Sequence, residues 1–544
     1  MKSSLSPPTV QSFQSVPLES IMNQEKSVDF EIFMPPMPRR QILAWLGALA
    51  GASASVPSWA QAAIKRGGTL RVAVSSNPSS LDPATGGSGY DHAYLWTLYD
   101  TLVDWDYTTL QPRAGMAEFR FSDPKTLILD IKPGITFHDG EPCDAAAVKF
   151  NLDRNRQDQR SNVKADLAAL EAVEVTGPLQ VTIKLKAPDV TIPAVLSDRA
   201  GMMASPKAVQ TSGKEFDRKP VGAGPWKFVS WADNQKVIVA RNDAYWRKGL
   251  PHMDGIEFSI ITDQATGLRS VTAGQNDFIY GLSARYKPLI ERAKGLTLAT
   301  APTLYVHQIY LNWSRGPLAN VKIRQAMNHA IDRKAFIAAG MGGLGEPAGM
   351  QLPSAHWAYD KSVAGLYPYD PERARKLVAD SGLGNSVEIT FAGYNDQDSL
   401  RRNEIIMEQL GKVGIRCKLT TGTVPEVSGQ FFGNEKKFDA MLSAWTGRPD
   451  PSMTYALMYG KEAYYNGGRA GTSPEIEALL LKSREQAALD DRRATFSKLQ
   501  RLIMDGAYSV PLAFQFEVAA EGPKIKGFKP NLLGKPKFVD IHQA

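Results

Sequence analysis

Phe438-Asp-Ala-Met-Leu-Ser-Ala-Trp445-Thr-Gly-Arg448-Pro-Asp-Pro451 is the stretch on which the reading of this chain turns. An apolar run from Ala440 to Trp445 halts at Gly447, Pro449 and Pro451, the pattern of a buried strand emptying into a loop. The loop carries an indole, a hydroxyl and a guanidinium, on Trp445, Thr446 and Arg448. Binding sites are commonly built on such loops at the end of a rigid sheet. Taken alone, the same letters also describe a core tryptophan, a turn and a surface arginine. The surrounding sequence decides between the two.

Immediately upstream, residues 387–392, 398–412 and 415–420 read as strand, helix and strand, an α/β crossover unit. Asp370 as N-cap, Pro371 as first residue and Gly382 as stop mark another helix. Farther out, the spacing predicts helices over Asp91 to Val103, 144–156, Val321 to Ala339 and Arg492 to Met504. Strands are predicted at Thr69 to Val74, 126–131, 181–186, Trp226 to Trp231, Lys236 to Arg241, Asn276 to Ile279 and Val510 to Val518.

The 544 residues exceed what one hydrophobic core organises, so two or three domains are expected. Apolar residues at 43% and charged residues at 22% fit a globular protein, not a disordered one. A net charge of +7 is thin for this length and argues against a nucleic-acid binder. Arg39-Arg40, the apolar stretch Ile42 to Val56 and Ala60-Gln-Ala62 form an export signal, partly twin-arginine-like, with cleavage expected near Ala62. Residues 1–33 resemble no signal, and translation is expected to begin at Met34 or Met37. Cys143 and Cys417 lie far apart, so no disulfide framework is expected. Neither follows the signal as a lipid-attachment site, and a soluble exported protein is expected.

Several motifs fail in their context. Gly340-Met-Gly-Gly-Leu-Gly345 matches a dinucleotide fingerprint, but it follows a helix and runs into Pro347 instead of opening one. No GxxxxGK[ST], HExxH, CxxC or GxSxG sequence occurs, and the seven histidines are scattered. Neither a cofactor nor a metal is expected, and an exported hydrolase would need a nucleophile and base that the sequence does not display.

Five segments do stand out in fixed order. They are Ile131-Lys-Pro-Gly-Ile-Thr-Phe-His-Asp-Gly-Glu-Pro142 with Ala146 to Arg154, and Pro220-Val-Gly-Ala-Gly-Pro-Trp226 with Arg241-Asn-Asp-Ala-Tyr-Trp246. Ile323-Arg-Gln-Ala326 with Ala330 to Arg333, Tyr369 to Leu377, and the Phe438–Pro451 stretch complete the set. Together they resemble the solute-binding proteins of peptide/nickel/opine-type ABC importers, solute-binding family 5, across about residues 66–540. Gly134, Gly140, Gly222 and Gly224 suit tight turns with positive φ, and Trp226, Trp231 and Trp246 suit a core.

The resemblance implies an α/β, two-lobed periplasmic binding protein fold of type II (class C), with an additional subdomain inserted in the first lobe. Mapped onto this chain, lobe I comprises 64–98, 219–303 and 513–544, the inserted subdomain 99–218, and lobe II 304–512. Leu304 to Leu311 and Val510 to Glu517 become the two hinge crossings. The implied function is periplasmic capture of a small peptide-like solute, with delivery to an ABC permease whose ATPase subunits are separate. A monomer is expected, with no nucleic acid. A nickel-chelate or haem binder is the alternative on the same scaffold.

In peptide-binding relatives an acidic residue three positions after the loop tryptophan grips the ligand's amino terminus. Here that position is Arg448, which repels an ammonium and favours a carboxylate or phosphate. Asp450 either substitutes for the missing acid or pairs with Arg448. The resemblance also directs Tyr90, His92, Tyr280, Ser283, Asn312, Tyr465 and Asn466 to the cleft, beside Trp445 and Thr446.

Overall fold

The computed structural model describes residues 64–433, 435–461, 463–467 and 471–544. The export signal and its cleavage site therefore lie outside the described residues.

Two long strands, Thr297–Leu311 and Ser509–Glu521, organise the molecule. They pair antiparallel from Thr297 opposite Glu521 to Tyr310 opposite Ser509, with register shifts between Pro302 and Val306 and between His307 and Gln308. At roughly 3.3 Å per residue, the first reaches about 50 Å, long enough to belong to two cores. On one side the sheet continues through Ala440–Trp445, Val387–Tyr394 and Ile415–Gly422, and on the other through Phe278–Ile279, Thr69–Val74, Gly255–Ile260 and the hairpin Lys236–Arg241/Trp226–Ala232. Val387–Tyr394 runs parallel to both of its neighbours, as the crossover reading requires.

Separate apolar clusters fill the two halves. Leu70, Val72, Trp226, Phe258 and Phe278 anchor one, and Ile309, Met327, Phe336, Phe391 and Leu442 the other. A third core lies under a four-stranded antiparallel sheet, Ala117–Asp123, Thr126–Ile131, Gln180–Leu185 and Leu170–Gly177, where helix Ala145–Gln157 packs. Trp226 is buried, whereas Trp231 and Trp246 are half-buried and covered by Arg218 and Arg247.

Three expectations need correction. The helix expected over Val321 to Ala339 is two, Val321–Ala330 and Arg333–Gly340. Asp332 breaks it by turning its carboxylate onto the backbone N–H groups of Lys334 and Ala335, capping a new helix instead of continuing the old. The helix expected to Val103 ends at Leu98, because Gly222 and Gly224 press their backbones against Leu98 and Tyr99. A Cβ on Gly224 would stand 2.4 Å from the Leu98 carbonyl carbon. That contact, and not positive φ, is why glycine occupies both positions; Gly134 and Gly140 do adopt positive φ, at 78° and 88°. Residues 340–345 form a helix-to-loop exit, and Cys143 and Cys417 are unpaired.

Candidate ligand-binding cleft

Ala440–Trp445 occupies the bounds predicted for it and lies antiparallel to the first long strand, with Trp445 opposite Val306. The chain then turns at Gly447, φ 67°, where a Cβ would meet Leu304 Cβ at 2.8 Å. Only glycine fits there, so the loop is pinned against the long strand. Trp445 is buried, meets the Tyr465 ring edge-on at 4.3 Å, and has Arg448 5.8 Å from its ring centre. The Nε1 of Trp445 and the Nε of Arg448 are buried donors without a hydrogen-bond partner among the described residues. Leaving such donors unpaired is costly, which makes them candidates for ligand contact.

Across from this loop stand His92 and the segment around Asp198. A small cavity of about 30 Å³ separates them, lined by His92, Asp166, Asp198, Arg199, Arg448 and Met453 among others. The Nε2 of His92 lies 2.6 Å from Asp198 Oδ1 and 3.0 Å from Lys535 Nζ, which is itself 3.5 Å from Asp198 Oδ2. Burial lowers the His92 pKa, against the pull of Asp198. Burial also opposes ionisation of Asp198, but His92, Lys535 and Arg199 hold its carboxyl well below the usual range.

A second, larger cavity of about 1170 Å³ opens between the halves, with Gln264, Ser283 and Arg285 on one wall, Asp398 and Arg402 on the other, and Gln515 of the second long strand. The Oγ of Ser283 donates to Asp398 Oδ2 at 2.9 Å, and Arg285 lies 3.6 Å from Asp398 Oδ1. Behind Gln515 on the long strands, the Tyr305 and His307 rings meet at 5.5 Å, and His307 Nε2 lies 3.0 Å from Gln515 Oε1. Burial pushes His307 down to about 3, so it stays neutral.

Of the residues expected in the cleft, Trp445, Arg448 and Tyr465 cluster, His92 faces Arg448 across the small cavity, and Ser283 lines the large one. Tyr90 and Thr446 are exposed, and Tyr280 is half-buried against Phe278. Three others serve local structure. Asn312 is buried and accepts from Ser314. Asn466 is buried and donates to the Gly460 carbonyl. Asp450 neither replaces the missing acid nor pairs with Arg448: it caps helix Pro451–Tyr459 and binds Arg492 at 2.8 Å, with both side chains buried. Asp166, Asp198, Arg199, Arg402 and Lys535 were not predicted. No local motif marks them; only Tyr305, His307 and Gln515 follow from alternation along strands already expected to cross the cleft.

The model of the bacterial extracellular solute-binding proteins, family 5 middle region, matches residues 111–466. This chain belongs to that family. A glutathione-binding protein, GsiB, of Pectobacterium atrosepticum is 28% identical over 470 residues, covering 84% of this chain and 90% of its own. The periplasmic binding protein DppA from Helicobacter pylori, solved with the peptide STSA, superposes with a TM-score of 0.75 at 22% identity over 88% of this chain and 98% of its own. AgaA from A. tumefaciens R10, in complex with agropinic acid, gives 0.73 at 21% identity over 88% and 99%. These likenesses make the fold the two-lobed type II periplasmic one. The chain is thus a solute-binding protein, in a family described as extracellular.

Proposed function

We propose that this solute-binding protein works as a monomer in the periplasm, closing two lobes around a small anionic, peptide-like solute and presenting it to a membrane permease. Its lobes are residues 64–98, 219–303 and 513–544 on one side and 304–512 on the other, with 99–218 as an inserted subdomain; their separate cores support this division. The ligand stabilises the closed form by touching both lobes. One observation carries the anionic reading. Arg448 stands third after Trp445, its Nε is buried and unpartnered among the described residues, and Arg199 and Lys535 share its surroundings. A guanidinium so placed binds a carboxylate through two parallel hydrogen bonds. The glutathione and agropinic acid named for relatives are both of this kind of chemistry.

A thermal-shift screen of peptides, γ-glutamyl peptides, opines and organic acids tests it. A ligand at a hundredfold excess over its dissociation constant adds about 2.7 kcal/mol to stability. Acidic solutes should raise the melting temperature, and Arg448→Gln should abolish the shift. Equal binding of the same peptides with blocked carboxylates would refute the anionic reading.

A further inference from the structure

The small cavity between the Trp445 loop and the inserted segment brings together charged groups of both signs, several of them without a hydrogen-bond partner among the described residues. On the cationic side are Arg448, with its buried Nε unpartnered, and Arg199, with its buried Nη1 unpartnered, among the described residues. On the anionic side the two acids differ. Asp198 is committed to His92, Lys535 and the backbone N–H of Arg199. Asp166 lines the same cavity, yet its carboxylate accepts no hydrogen bond and joins no salt bridge among the described residues. Burial raises its pKa, and Arg448 is the foremost of the cations opposing that rise. A carboxylate and two guanidinium groups thus face one void with no hydrogen bond or salt bridge between them among the described residues. The two buried guanidinium nitrogens call for complementary acceptors, and half-buried Asp166 leaves a carboxylate open beside them.

We infer that the Arg448–Arg199–Asp166 cavity receives the head of an amino acid, its carboxylate on the two arginines and its ammonium on Asp166. The inference rests on the anionic reading above and narrows it. By the measure in which one water needs about 10–15 Å³, the cavity of about 30 Å³ takes two or three water-sized groups. That is room for a charged head and not for a peptide chain. Both charges must therefore sit on the same carbon. An ordinary α-linked peptide cannot offer this, because its free ammonium and terminal carboxylate stand at opposite ends. An amino acid joined to the rest of the ligand through its side chain can, as in a γ-glutamyl conjugate, and the remainder then leads away toward Trp445 and Tyr465. The acid for the ammonium has moved to the opposite wall: position 448 supplies a cation, and Asp166 supplies the anion.

Isomeric probes give the test. γ-Glutamylglycine carries its ammonium and a carboxylate on one carbon, whereas α-glutamylglycine, of the same formula, does not. Calorimetry should show the γ isomer binding at least tenfold tighter than both the α isomer and N-acetyl-γ-glutamylglycine. Asp166→Asn, which keeps the side-chain volume, should erase that preference while leaving residual carboxylate binding and an unchanged melting temperature without ligand. Arg448→Gln should remove binding of both isomers. Equal affinity for the isomers, or a preference that survives Asp166→Asn, overturns the assignment while leaving the anionic reading standing. If carboxylates of every kind fail to bind, both fall.

Discussion

At the scale of single residues, the sequence marks positions better than roles. Asp450 sits two residues from Arg448 and is the nearest acid for a cleft cation, yet its carboxylate turns the other way. It binds Arg492 Nη2 through both oxygens, at 2.8 and 2.9 Å, and accepts from the Ser452 N–H. Removing one partner of a buried ion pair costs about 3–5 kcal/mol, because the other charge stays behind unpaired. Asp450→Ala should therefore lower the urea midpoint sharply, at unchanged affinity for ligand in the folded fraction. Lost affinity with an unmoved midpoint would return Asp450 to the ligand. Arg448 was legible because the comparison was local, one side chain at a fixed offset from a tryptophan. Asp166 was not: it approaches the Trp445 loop only after the chain has crossed three cores, and no spacing encodes that.

At the scale of elements, periodicity carries most of the fold. Ala440–Trp445, the crossover strands and the hairpin at Trp226 are where alternation and turn residues put them. Errors arose where a side chain or a distant loop overrode local pattern, as Asp332 does in splitting a helix and Gly224 in ending one. The long strands hold a further surprise in Glu517, a carboxylate buried on Ser509–Glu521 with the Gly281 N–H donating to it at 2.8 Å. Burial raises its pKa from 4.5 to about 7. Between those two values the folded chain holds a proton that the unfolded chain has released, so stability falls as pH rises across the window. The loss from this one group is at most about 3 kcal/mol. Glu517→Gln should gain stability relative to the parent at pH 7.5 but not at pH 4.5, as compared by denaturant midpoints. An equal difference at both pH values would show that the carboxylate ionises normally in the fold.

At the scale of the whole molecule, the described residues meet not only along the long strands but through polar contacts between distant segments. Ser283 and Arg285 reach Asp398, while Asp189 pairs with Arg484, whose carbonyl also accepts from the Val190 N–H at 2.7 Å. Asp189 is the more consequential member. It is only 3% exposed and is already fixed by the N–H and hydroxyl of Thr191, whereas Arg484 is 37% exposed. When the lobes part, Arg484 regains water readily, but the contact that offsets the burial of Asp189 is lost. Such contacts bias the open–closed equilibrium without touching ligand, and the apparent affinity then scales with the fraction of molecules able to close. Arg484→Ala removes one contact worth about 1–3 kcal/mol, the range for a hydrogen bond to a buried charge. The unliganded variant should show a larger radius of gyration by small-angle scattering and bind roughly 5- to 150-fold more weakly, while saturating ligand returns it to the parent's dimensions. Unchanged dimensions together with unchanged affinity would mean that the contact follows closure and contributes nothing to it.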